Sequence, residues 1–145
     1  MEKILFQAFL FLSILSQFAS SALSSDKIRI TVTTPVFAGI VHEITGDQAD
    51  IYHIASPNRD VHFMSPTPKD VLKVKRAHVF IHGGLDLEVW RGPLLDAAGR
   101  IDFMGENSPR AIDVSKGIKL KEIPESLSRL HGDVHAFGNP HYWTD

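Results

Sequence analysis

The chain has 145 residues, with 15 Lys+Arg against 17 Asp+Glu and a formal charge of −2, so it lacks the basic excess of a nucleic-acid binder. A hydrophobic share of 43% with 22% charged residues places it among core-forming globular chains and outside the compositional range of disorder. It contains no cysteine, which excludes disulfides, thiolate metal sites, a cysteine nucleophile and a lipid-modified cysteine, and leaves 8 histidines as the main nitrogen ligands.

Met1, Glu2 and Lys3 precede an apolar run from Ile4 to Leu15, interrupted at Gln7 and Ser13 and followed by the small residues Ala19, Ser20, Ser21 and Ala22. This is the pattern of a secretory signal peptide, with cleavage expected after Ala22 or Ser24. The run is shorter than the roughly 20 residues that cross a bilayer. Residues 1–24 are therefore expected to be a signal, and residues 25–145 a mature chain without a transmembrane segment.

In the mature chain, Ile28, Ile30 and Val32 alternate with Arg29, Thr31 and Thr33, a strand that ends at Thr34-Pro35. Pro35 suits a first helical turn, Val36, Phe37, Ile40, Val41 and Ile44 recur at helical spacing, and Gly46 stands where a C-terminal glycine belongs. Ala49 to Ile54 reads as the second strand. Ala55 to Ser65, with Pro57, Asn58 and Asp60, reads as a long loop. Thr67-Pro68-Lys69-Asp70 opens a helix that buries Val71, Leu72 and Val74 and stops near Arg76. Ala77 to Ile81 is a third strand, Gly83-Gly84 a turn, and Leu85 to Ala98 an expected helix with an irregularity at Gly92-Pro93. Ala111 to Val114 is a fourth short strand, and Glu125 to Leu130 a weak helical piece. Strands and helices alternating with tight joins predict an α/β fold with an open, mostly parallel sheet flanked by helices.

The histidines are unequal. His62 lies in a proline-flanked loop directly after a strand, and ligands gather at the carboxyl ends of strands in open α/β sheets. Asn139-Pro140 stiffens the approach to His141, and Tyr142-Trp143 can bury its stem. His131 and His135 read as members of a solvated polar turn, His42 and His53 as parts of regular elements, and His78 and His82 bracket a strand without an evident partner. Val41-His42-Glu43-Ile44-Thr45-Gly46 begins like H-E-x-x-H, but Gly46 occupies the position of the second histidine. The acidic Asp86 and Glu88 beside Gly83-Gly84 oppose phosphate binding there.

Asp60-Val61-His62-Phe63-Met64-Ser65-Pro66-Thr67-Pro68-Lys69-Asp70 resembles the D-P-H-x-Y-E-P-T-P-S-D motif of the zinc/manganese solute-binding proteins of bacterial ABC transporters, a group that includes metal-binding adhesins. Asn139-Pro140-His141-Tyr142-Trp143-Thr144-Asp145 resembles that family's D-P-H-x-W-L-D. The stretch from Ala77 to Trp90 is similar to its A-D-L-V-F-x-N-G-L-x-L-E-x-W. Val61, Met64 and Ser65 depart from the first motif at its proline, aromatic and acid.

The resemblance implies two α/β lobes joined by a long helix, with a metal in the cleft between them. This chain would then supply the N-terminal lobe, with His62 and His141 as metal ligands and another histidine and a carboxylate coming from the second lobe. His131 and His135 would serve at most as a capture or shuttle site. The implied function is periplasmic capture of Zn²⁺, with Mn²⁺ or iron as alternatives, and delivery to a membrane permease, without catalysis. Three histidines and a carboxylate close a zinc shell without an activated water. The rival reading is a secreted zinc-dependent hydrolase in which His62 and His141 hold a catalytic metal, but it needs a carboxylate base that the sequence does not place.

Overall fold

Four parallel strands form a sheet in the order β2-β1-β3-β4: β1 (Ile28–Val32), β2 (Ala49–His53), β3 (Val79–His82) and β4 (Ala111–Asp113). The computed structural model describes residues 26–105, 107–124 and 135–144; the expected signal segment, the helical piece expected at 125–130 and His131 lie outside the described residues. Among the described residues, no helix is long and apolar enough to cross a membrane.

β1 pairs on both sides, with Ile30 against Ile51 of β2 and Val79 of β3. Its second half is buried on both faces, so Thr31 is enclosed along with Ile30 and Val32 despite the alternating sequence. The ladder continues past the strand ends: Ile54 N donates to Val32 O at 3.0 Å, Ala55 N to Thr33 O at 2.8 Å, and Thr33 N to Ile81 O at 3.0 Å. The expected extent of β2 to Ile54 reflects this continuation.

Helix α1 (Pro35–Thr45) starts where the Thr34 side chain accepts the Phe37 N–H and stops at Gly46, whose φ of 51° suits glycine. It lays Phe37 and Val41 on Ile30, Val32 and Ile81. Helices α2 (Pro68–Arg76) and α3 (Arg91–Ala97) cover the opposite face, packing Val74, Leu94 and Leu95 around Phe80 and Phe103. Both Thr-Pro pairs read from the sequence as helix starts are helix starts in the structure.

The helix expected from Leu85 to Ala98 is shorter than its pattern suggested and begins only at Arg91. Leu85 and Asp86 take left-handed backbone conformations, with φ of 52° and 59°, so the chain turns there and carries Leu87 and Glu88 into the interior. Gly92-Pro93 then falls in the first turn of α3, where proline's missing N–H has no intrahelical role. Gly84, at φ 72°, has no room for a side chain, since a Cβ would meet Asp113 Oδ1 and Ser115 Oγ at 2.3 Å.

At the start of α2, Asp70 is 4% exposed. Its Oδ2 accepts from Thr67 N at 2.6 Å and Thr67 Oγ1 at 2.7 Å, and its Oδ1 accepts the Tyr52 hydroxyl at 2.7 Å. Burial and the Asp70 carboxylate push the Tyr52 phenol up to about 12. The capping box and the Tyr52 link together anchor the helix that follows the His62 loop. Asp70→Ala is expected to cost about 2 to 3 kcal/mol in urea unfolding and to lower the Tyr52 phenol pKa in ultraviolet titration only in part, because burial, the larger cause of its rise, remains. An unchanged unfolding midpoint would remove Asp70 from this role.

Candidate metal centre

The long loop after β2 is held by its neighbours at the point where it presents His62. Asp60 Oδ1 accepts the His62 backbone N–H at 2.8 Å, an Asx turn that fixes the direction of the side chain. One residue earlier, Val61 O accepts the Trp90 indole N–H at 2.6 Å. His62 is 7% exposed, and its Nδ1 is buried without a hydrogen-bond partner among the described residues.

The loop carrying His141 repeats the same device. Asn139 Oδ1 accepts the His141 N–H at 2.9 Å, while Asn139 Nδ2 donates to Glu122 Oε2 at 2.8 Å and Asn139 N to Lys121 O at 2.9 Å. Tyr142 donates its hydroxyl to Gly83 O at 2.7 Å, tying this loop to the end of β3. The Trp143 ring lies 5.3 Å from the His141 ring and 5.5 Å from Phe37, both edge-to-face.

His62 and His141, 79 residues apart in sequence, meet with their Nε2 atoms 3.2 Å apart. Two nitrogens on a tetrahedral zinc with Zn–N of roughly 2.0 to 2.1 Å stand about 3.4 Å apart. The separation of these two nitrogens is that of a hydrogen bond between the rings and is close to that of two ligands on one zinc. His135 joins them: its ring centre is 4.6 Å from that of His62 and 6.2 Å from that of His141. One nitrogen from each of the three residues lies within 4.8 Å of the other two. His135 is half-buried, in contrast to the solvated turn its polar neighbours suggested.

The other histidines among the described residues stand elsewhere. His42 is exposed on α1, and His53 bonds Ala55 O through Nδ1 at 2.9 Å. The His78 ring lies against Arg29, with Nε2 2.8 Å from the guanidinium. His82 is buried beside Arg91, whose Nη1 is 3.4 Å from Nε2, and it lines a cleft of about 500 Å³ with Glu88, Asp113 and Ser115. Burial, reinforced by Arg91 and opposed by Asp113, lowers the His82 imidazole to about 4.

Glu88 proves to be a structural acid. Its Oε1 accepts from the Thr33 hydroxyl and from Gly83 N at 2.8 Å, so it binds the ends of β1 and β3 together. Burial pushes its carboxyl above the usual range, against the pull of those two hydrogen bonds. The Gly83 N–H that a phosphate would use is occupied. Burial, with Glu88 and Asp113 adding to it, also raises the Tyr142 phenol.

The residues match a known family. The model described as zinc-uptake complex component A, periplasmic (ZnuA), matches residues 30–145. The chain is 27% identical over 148 residues to the metal ABC transporter substrate-binding lipoprotein SsaB of Streptococcus sanguinis, covering 96% of this chain and 46% of that protein. With the manganese ABC transporter substrate-binding lipoprotein PsaA of Streptococcus pneumoniae it shares 33% over 103 residues, 68% of this chain and 33% of the relative. A crystal structure of a ZnuA 138–173 deletion mutant with zinc bound superposes with a TM-score of 0.63 at 25% identity, covering 81% of this chain and 40% of that one. The chain spans less than half the length of these curated relatives.

The His82 environment sets a pH dependence that does not involve the candidate ligands. An unfolded histidine titrates near 6.5. As pH falls from about 6.5 to about 4, the unfolded chain binds a proton that folded His82 refuses, and stability is lost across that window. His82→Gln is expected to flatten this part of the stability profile in urea unfolding at stepped pH; equal slopes for both proteins would reject the assignment. In fold and in sequence, the chain belongs to the ZnuA family, described as the periplasmic component A of a zinc-uptake complex.

Proposed function

We propose that the chain is the N-terminal, metal-capturing lobe of the extracytoplasmic solute-binding component of a metal ABC transporter. In this reading residues 1–24 are a cleaved signal and residues 25–145 the lobe, located in the periplasm. The lobe takes a divalent cation as cargo and passes it to the membrane permease, and it catalyses no reaction. A second α/β lobe, joined through a long helix, supplies the remaining ligands.

His62 and His141 are the ligands assigned to this lobe. The observation that carries the assignment is the 3.2 Å approach of their Nε2 atoms from two separately anchored loops. The Asx turns at Asp60 and Asn139 support it, because they hold the backbone of both histidines in place. Zn²⁺ is the first choice of cargo and Mn²⁺ the alternative. Imidazole suits zinc, whereas manganese favours carboxylate and water. The relatives differ in the metal their descriptions name, zinc for the matching family and manganese for PsaA. The family match favours transport over the alternative of a secreted zinc-dependent hydrolase.

His62→Ala and His141→Ala are each expected to lower zinc affinity at least tenfold in isothermal titration calorimetry, as the loss of a direct ligand requires. Wild-type affinity in both variants would overturn the assignment.

A further inference from the structure

We infer that His135 is a third ligand, so that this chain alone offers an ion three imidazoles, and that His135 biases the site toward Zn²⁺ over Mn²⁺. The inference rests on the proposed assignment of His62 and His141 and adds a residue to it.

The first support is position. His135 sits six residues before His141, and the two rings come to the same side because the intervening chain folds back on itself. Gly138 N donates to His135 O at 3.2 Å, which closes the turn. Gly138 has φ 104°, and a Cβ at that position would stand 2.7 Å from Lys121 O. Only glycine lets the turn lie against residues 120–123 in this way. The packing carries His135 inward, to 4.6 Å between ring centres with His62, although Ala136 and Phe137 beside it are exposed.

The second support is distance. The largest separation among the three nitrogens is within 4.8 Å. Tetrahedral zinc needs about 3.4 Å between ligand atoms. His135 therefore has to close by about 1.4 Å at most, a shift that a side-chain rotation in a surface turn can supply, while His62 and His141 already stand at 3.2 Å.

The chemistry follows from the donor set. Three neutral nitrogens and no oxygen suit a borderline cation that accepts four-coordinate geometry, and they leave one position for a water or for one ligand of the second lobe, a second such ligand making the ion five-coordinate. Manganese gains little from a third imidazole. His135 thus acts on selectivity as well as on affinity.

The test compares the wild-type chain with His62→Ala, His141→Ala and His135→Ala by calorimetry against Zn²⁺ and against Mn²⁺. His135→Ala is expected to weaken zinc at least tenfold and manganese by less than threefold. Long-range ¹H–¹⁵N spectra of the imidazoles, recorded on wild type during zinc addition, should show three rings shifting together. Urea unfolding of each apo variant identifies any that has lost its fold, and for such a variant the wild-type spectra alone decide. Zinc affinity within twofold of wild type in a folded His135→Ala, or only two rings shifting, would overturn the inference while leaving His62 and His141 as ligands. If all three variants bind zinc as wild type does, both the inference and the assignment it rests on fall.

Discussion

All four strands run in the same direction, and that constraint determines where chemistry can occur. Every strand delivers its outgoing loop to one edge of the sheet, and β1, paired on both sides, brings the loops after β2 and β3 beside each other. The alignment is reinforced where the ladder ends. Thr33 continues the pairing to Ile81, and the buried Glu88 carboxylate receives both Thr33 and Gly83. Hydrogen bonds from both strand ends converge on this one buried acid, which holds them in register despite the cost of its burial. Trp90 and Tyr142 extend the lacing outward, one to Val61 beside His62 and the other from the residue after His141 back to Gly83.

The parts of the fold set by local chemistry could be read in the sequence. Thr34-Pro35 and Thr67-Pro68-Lys69-Asp70 carry their own helix starts, because a capping oxygen and a proline in the first turn act within four residues. The stretch from Leu85 to Trp90 could not be read in this way. Its apolar spacing is helical, yet Leu85 and Asp86 adopt left-handed conformations so that Leu87 and Glu88 can reach the interior, a demand set by β1 and β3. Tertiary packing overrode the pattern there.

The site divides along the same line. His62 and His141 each follow an Asx residue by two positions, and Asp60 and Asn139 accept the backbone N–H of the histidine they precede. That pairing is local, and the motifs that contain it pointed to both residues. His135 was hidden in a polar stretch, where spacing suggests a solvated turn. What places it is the approach of Gly138 to Lys121 O, a contact seventeen residues distant in the chain that no local pattern encodes.

The placement of the indoles has a consequence for observation. The chain contains two tryptophans. Trp90 is hydrogen-bonded to the backbone immediately before His62, and Trp143 lies edge-on to the His141 ring. Its whole complement of indole fluorescence therefore stands against the two loops that present the imidazoles, Trp90 bonded to one and Trp143 part of the other, with none elsewhere to add a constant background. The architecture that steadies the site also makes it visible, because any event that draws the loops together changes the surroundings of an indole and leaves an optical record without a label.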